Sequence, residues 1–166
     1  MNKDDEVFGG WSVDISLFNW IKNNIEEGKT MLEIGSGNST YEFSKILNVY
    51  SIEENIEWVG RYHDRYIYAP IVDGWYDVNA IEKNIPKNVD IILIDGPAHG
   101  DRNGFFDNLS IFINLNPYIL VFDDIERDSD NKCYINVVQY LKEIGLKIET
   151  DIISDNKKFA FIKIIK

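Results

Sequence analysis

The sequence predicts a three-layer α/β/α sandwich built on a seven-stranded, mostly parallel sheet. Three observations carry this. The runs over 89–94 and 118–122 are almost continuously apolar, as strands of a parallel sheet covered on both faces must be. Between such runs lie segments with apolar residues at helical spacing, the alternation that builds βαβ units. Finally, residues 30–40, TMLEIGSGNST, read as strand, glycine turn and helix start. In an open α/β sheet that unit places a ligand crevice at the carboxyl end of the first strand.

Composition narrows the function classes. With 166 residues and 45% apolar content the chain is long and apolar enough for one globular domain spanning 1–166, with a polar arm over 1–10. Its 17 Lys and Arg against 28 Asp and Glu give a net charge of −11. No basic cluster is visible, so no nucleic-acid partner is expected. One cysteine, Cys133, makes no internal disulfide and suits a reducing compartment. No apolar signal region opens the chain, and no apolar run reaches the roughly 20 residues of a membrane span. A cytoplasmic protein without a membrane partner is the expectation.

The elements follow in order. Ser12 or Asp14 caps a first helix whose Val13, Leu17, Trp20, Ile21 and Ile25 share one face, and Gly28 ends it. Trp11, just before it, reads as a hydrophobic staple or as part of a lid. After the strand at 30–34, Gly35 and Gly37 give a tight turn with room for a ligand. Ser39 and Glu42 have capping-box spacing, so a helix starts at Ser39 and runs to about Leu47. A second strand at 49–52 ends in Glu53 and Glu54. A helix from Ile56 to about His63 comes next, then a third strand over 66–72, in which Pro70 suits a sheet edge. Asp73-Gly74 is a strong turn dipeptide. Trp75 and Tyr76 flank a ligand or simply pack. Asp77 caps a helix carrying Val78, Ile81 and Ile85, and Pro86 stops it. The strand at 89–94 opens into the loop DGPAHGDR, 95–102. A helix over 105–113 precedes the strand at 118–122, which ends in Asp123 and Asp124. Asn131 opens the last helix, with Ile135, Val138 and Leu141 inward and Gly145 as its stop. The runs 146–153 and 159–165, joined by a short polar turn, make an antiparallel hairpin.

The glycine turn decides the ligand class. A dinucleotide fingerprint needs Gly-x-Gly-x-x-Gly, and here Thr40 stands at the third position. Glu33, two residues before the first glycine, suits a cation better than a pyrophosphate. The wording LEIGSGNST at 32–40 resembles the class I S-adenosylmethionine-dependent methyltransferases, in the branch with LExGSGxST. SIEENIEW at 51–58 and the closing hairpin extend that resemblance over nearly the whole chain. It implies a Rossmann-like methyltransferase sandwich with the last strand antiparallel, and S-adenosylmethionine as cofactor. It further implies Glu33 at the methionine amino end, backbone contact from Gly35, Ser36 and Gly37, and Asp73 at the adenine. Glu53, about 20 residues past the glycines, is placed for the ribose hydroxyls. Glu54 is the alternative, read otherwise as a first-turn acid of the next helix.

Acids close five strands: Glu33, Glu53, Asp73, Asp95 and the Asp123–Asp124 pair. Asp95 with Asp123 and Asp124 resembles the metal site of metal-dependent sugar and small-molecule O-methyltransferases, which implies Mg²⁺. Those enzymes often carry a further acid two residues after the first metal aspartate. Pro97 stands there, which tips the expectation toward a metal-free pocket. His99, in a Gly/Pro-rich loop, is a candidate general base beside Asp95. Arg102 and Arg127 are candidates for holding a substrate carboxylate or phosphate, or else balance the acidic rim, the role favoured for at least one of them. The expected function is methyl transfer to a small-molecule acceptor, with O-methylation preferred. An NAD-linked oxidoreductase and a non-catalytic nucleotide- or S-adenosylmethionine-binding module are the rivals. The acceptor and the oligomeric state are not written in the sequence.

Overall fold

The computed structural model describes residues 7–8 and 12–165. Trp11, with its staple or lid role, and most of the polar N-terminal segment lie outside them. The central strand β1 (Thr30–Ile34) pairs in parallel with β2 (Asn48–Glu53) on one side and β6 (Ile91–Ile94) on the other. Outward from β2 lies β3 (Tyr66–Tyr68). Outward from β6 come β7 (Ile119–Phe122), β9 (Lys158–Ile165) and the edge strand β8 (Lys147–Ser154). The order is β3-β2-β1-β6-β7-β9-β8, and β9 runs antiparallel to both neighbours. This is the seven-stranded mixed sheet expected.

Side chains alternate across the strands and fill two cores. Leu32, Ile34, Ile92, Ile94, Leu120 and Phe122 face one core. It is covered by α3 (Val78–Asn84), α4 (Gly104–Asp107), α5 (Leu109–Ile113) and α6 (Asp128–Glu143). Met31, Ile91, Leu93, Ile119 and Val121 face the other, under α1 (Ile15–Asn24) and α2 (Ser39–Ile46). Asp14 caps α1 by accepting from the Ser16 N–H at 2.8 Å, and Asp77 caps α3 by accepting from Asn79 at 3.0 Å. Trp20 stacks on Phe161 with ring centroids 4.4 Å apart, joining α1 to β9. No described helix is long and apolar enough to cross a membrane.

Several elements differ from expectation. No helix forms over 56–63; the chain makes turns, held by Trp58 N–H to Asn55 O at 3.0 Å and Arg61 N–H to Trp58 O at 3.1 Å. Gly60 has φ 78°, which a helix does not tolerate, and Arg61 lies over the Trp58 ring at 4.2 Å. The third strand stops at Tyr68. Beyond Pro70, β4 (Ile71–Val72) and β5 (Trp75–Tyr76) form a separate hairpin turning on Asp73 and Gly74, both with positive φ. The 105–113 helix is broken into α4 and α5 at Asn108. Ser39 is the first helical residue and not a cap. Its N–H is taken by Ser12 Oγ at 2.9 Å, so this helix start is tied down by a distant segment. Helix α6 begins at Asp128, before Asn131, and Ile135 points outward at 51% exposure. Cys133, Tyr134, Val137 and Leu141 make the inward face. Cys133 is therefore inside the helix and not at its start, and burial pushes its thiol up to about 12.

Candidate functional site

A cavity of about 460 Å³ opens where the strand order reverses, at the carboxyl ends of β1, β2, β6 and β7. Its walls are the glycine turn 35–38, residues 53–55, the loop after β6, and Asp124 with Arg127. Gly35 has φ 89°, and a Cβ there would stand 2.8 Å from the Gly96 Cα. The two loops therefore meet backbone to backbone. Gly37 does not share the positive φ, so only the first glycine is required by conformation. Gly35→Val combines a disfavoured φ with overlap on a neighbouring backbone. It is expected to cost about 2–4 kcal/mol in urea unfolding and to disrupt the cavity wall.

Glu53 secures the turn. Its carboxylate accepts from the Ser36 N–H at 3.0 Å, from the Ser36 hydroxyl, and from the Asn55 N–H at 2.7 Å. It is buried yet lines the cavity, as Ser36 and Gly37 do.

Glu33 sits behind that wall, 1% exposed, and is not among the cavity-lining residues. Its Oε2 accepts from Thr40 Oγ1 at 2.8 Å and from Ser51 Oγ at 2.7 Å. Thr40 Oγ1 also accepts from the Gly37 N–H at 3.0 Å. Thr40, which breaks the dinucleotide pattern, is thus the link between the glycine turn and the buried acid. Ser51 donates to Glu33, so it accepts from His63 Nε2 at 3.0 Å; His63 Nδ1 in turn accepts from Arg65 N–H at 3.1 Å. That chain requires neutral His63, and burial lowers its pKa to about 4. Burial raises Glu33 to about 8 against the pull of its two hydroxyl partners. The expectation of a fixed negative charge at Glu33 facing the ligand is corrected: the group is largely protonated at neutral pH and acts from behind the wall.

The acids after β6 and β7 do come together. Carboxylate oxygens of Asp95, Asp123 and Asp124 lie within 4.8 Å of one another. Burial and then Asp123 push Asp95 well above the usual carboxylate range; burial and then Asp124 push Asp123 up to about 6. Three cations have moved in among them. Arg102 is 3.3 Å from Asp95, 2.8 Å from Asp130 and 3.6 Å from Asp124. Asp124 also meets Arg127 at 2.7 Å and Lys157 at 3.2 Å. Arg102 is thus consumed by aspartates and offers no fork to a substrate anion. Arg127 remains half-exposed at the cavity wall. This donor set does not fit Mg²⁺, because a dication would have to displace three positive side chains from the carboxylates it needs.

Asp73 is exposed at the hairpin tip and does not line this cavity, so the geometry supports its turn reading over the adenine one. His99 lies on the rim with its side chain 84% exposed. Its Nδ1 is 2.7 Å from Glu54 Oε1, which also accepts the His99 N–H at 3.1 Å. Glu54 is no first-turn acid, since no helix follows; it straps the loop after β6 across the cavity mouth. Of the two aromatics expected to flank a ligand or pack, Tyr76 lines the cavity and Trp75 does not; Ser12, Asp130 and Lys157 were not singled out from sequence as site residues. Asp130 and Lys157 carry no motif, and only the fold brings them near Arg102 and Asp124.

No protein-family model matches the sequence, and no curated protein matches it. Solved structures do. An O-methyltransferase from Bacillus cereus in complex with SAH aligns over 98% of this chain and 86% of its own, at 16% identity and a TM-score of 0.64. A methyltransferase from Pyrococcus furiosus covers 90% of this chain and 81% of its own, at 18% identity and 0.58. The E. cuniculi Mtq2–Trm112 complex, responsible for methylation of the eRF1 translation termination factor, covers 100% and 96%, at 16% and 0.54. At these identities the likeness speaks for architecture, and the chain has the Rossmann-like methyltransferase fold.

Proposed function

We propose that the chain transfers a methyl group from S-adenosylmethionine to a small-molecule acceptor. The observation that carries this is the cavity at the strand-order reversal. Its floor and walls are the Gly35–Gly96 contact, Ser36 and Glu53 on one side, and an aspartate cluster on the other. A volume of about 460 Å³ suits small ligands. When bound, S-adenosylmethionine supplies an electrophilic methyl on a sulfonium. The chain's own work is positioning. Ser36 and Gly37 offer backbone at the wall, Glu53 offers acceptors for ribose hydroxyls, and Thr40 with Glu33 stiffens the turn from behind. The acceptor lies toward Asp95, Asp124 and Arg127, and holding it in line is the main source of rate. With Mg²⁺ not accommodated, the metal-based argument for an oxygen acceptor falls away.

The alternative of an NAD-linked oxidoreductase has no third glycine, and its pyrophosphate would face Glu53 and Glu54. A ligand at about 100 times its Kd stabilises a fold by roughly 2.7 kcal/mol. Saturating S-adenosylhomocysteine should therefore raise Tm by roughly 5–10 °C for a chain of this size. A shift with NAD and none with S-adenosylhomocysteine overturns the proposal. Binding without methyl transfer to any acceptor favours the non-catalytic module.

A further inference from the structure

We propose that Glu54 works on two sides, one carboxylate oxygen holding the loop after β6 and the other taking a ribose hydroxyl of the bound nucleoside. Loop and ligand then secure each other; this rests on the methyl-transfer reading above. Glu54 lines the cavity, and its side chain is only 8% exposed. Oε1 accepts the His99 N–H at 3.1 Å and stands 2.7 Å from His99 Nδ1. Oε2 is buried and has no hydrogen-bond partner among the described residues. A carboxylate oxygen has room for about two hydrogen bonds, and a buried one is costly to leave without any. The unmet oxygen belongs to a wall residue of the cavity, directly after Glu53 in the chain.

Glu53 alone does not satisfy a ribose. Its Oε2 already accepts from the Ser36 N–H and the Ser36 hydroxyl, and its Oε1 accepts from the Asn55 N–H. A carboxylate has about four acceptor sites, so one remains, on Oε1. A ribose cis-diol brings a pair of O–H donors. One meets Glu53 Oε1, and the other is left for Glu54 Oε2. His99 extends the effect to the loop. It lies between Asp95 and Arg102, and Asp95, Ala98 and Arg102 all line the cavity. The Asp101 N–H donates to Gly74 O at 2.8 Å and ties that loop to the β4–β5 hairpin. Glu54 ties it at the cavity mouth. A hydroxyl on Oε2 fixes the carboxylate that His99 needs. By reciprocity, whatever the His99 contact adds to ligand affinity, the ligand adds to the contact.

The test uses the full chain and calorimetry with S-adenosylhomocysteine and its 2′-deoxy and 3′-deoxy ribose analogues. In the wild type each analogue is expected to bind about tenfold more weakly than the parent, or worse. Glu54→Ala should weaken the parent by a similar factor. It should cost one of the two analogues about fivefold less, because that analogue has no hydroxyl to lose there. His99→Ala should show the same split in smaller measure. Hydrogen exchange of the wild-type His99 amide should slow more under saturating parent than under that analogue. Equal losses for the parent and both analogues in Glu54→Ala, or unchanged binding of the parent in that variant, overturns the inference. So does a His99 amide that exchanges equally with parent and analogue. The exchange comparison decides alone if the variants do not fold. Binding of S-adenosylhomocysteine without the split sinks only this inference. Failure to bind S-adenosylhomocysteine sinks the methyl-transfer reading and the inference with it.

Discussion

Glu33→Gln is expected to flatten the loss of stability that the wild-type protein suffers on the alkaline side. Burial raises Glu33 from an ordinary 4.5 to about 8. Between those values the unfolded chain has released the proton and the folded chain keeps it. Stability therefore falls as pH rises through that window and levels off above about 8. At about 1.36 kcal/mol per unit, the cost accumulated by pH 9 is about 4–5 kcal/mol. Gln keeps the shape and the acceptor for Thr40 and Ser51 and carries no titrating proton. The variant should match the wild type near pH 4 and exceed it clearly at pH 9 in urea unfolding. His63, lowered to about 4, acts in the opposite sense below about 6.5, but it is common to both proteins and cancels in the difference. Parallel pH profiles for the two proteins would show that Glu33 is not held protonated.

Arg102→Met is expected to cost about 3–5 kcal/mol at pH 8, a fall in Tm of roughly 6–20 °C. The guanidinium is 8% exposed and touches Asp95, Asp124 and Asp130. Methionine fills much of its volume and leaves those carboxylates facing one another with less compensation. The deficit should shrink at pH 5. Asp95 and Asp123 already hold protons above the usual carboxylate range, and losing Arg102 raises them further. Their unfavourable contribution is absent below about 4, grows as pH rises through their folded values, and is complete above them. An equal loss at pH 5 and pH 8 would mean that Arg102 contributes packing and not charge.

The sheet was legible because its signals are local: apolar runs for β1, β6 and β7, and a polar turn joining β8 and β9. The convergence of Asp95, Asp123 and Asp124 was legible too, since each follows a parallel strand and parallel strands end at one rim. What escaped depends on contacts between distant segments. Ser39 has the spacing of a cap, but Ser12 takes that role from outside the helix. Ile56 and Val59 suggested a helix, yet the Gly60 conformation and the Arg61–Trp58 stack hold turns. That one of the two arginines balances the acidic rim was legible, but not that Arg102 does so through Asp130, because nothing in its loop announces that residue. Thr40 appeared only as a missing glycine, and its bond to Glu33 became visible when α2 packed over β1.

The edge of the sheet also bears on how copies of the chain meet in solution. Strand β8 leaves a long backbone margin open, with Ile152 at 49% exposure. Such a margin invites edge-to-edge stacking into aggregates. Glu149 and Asp151 lie on one face of it, with Thr150 between them. Two copies zipped antiparallel about Thr150 would set Glu149 of each against Asp151 of the other. Like charges directly opposite are destabilising. The margin thus carries its own deterrent to self-templating.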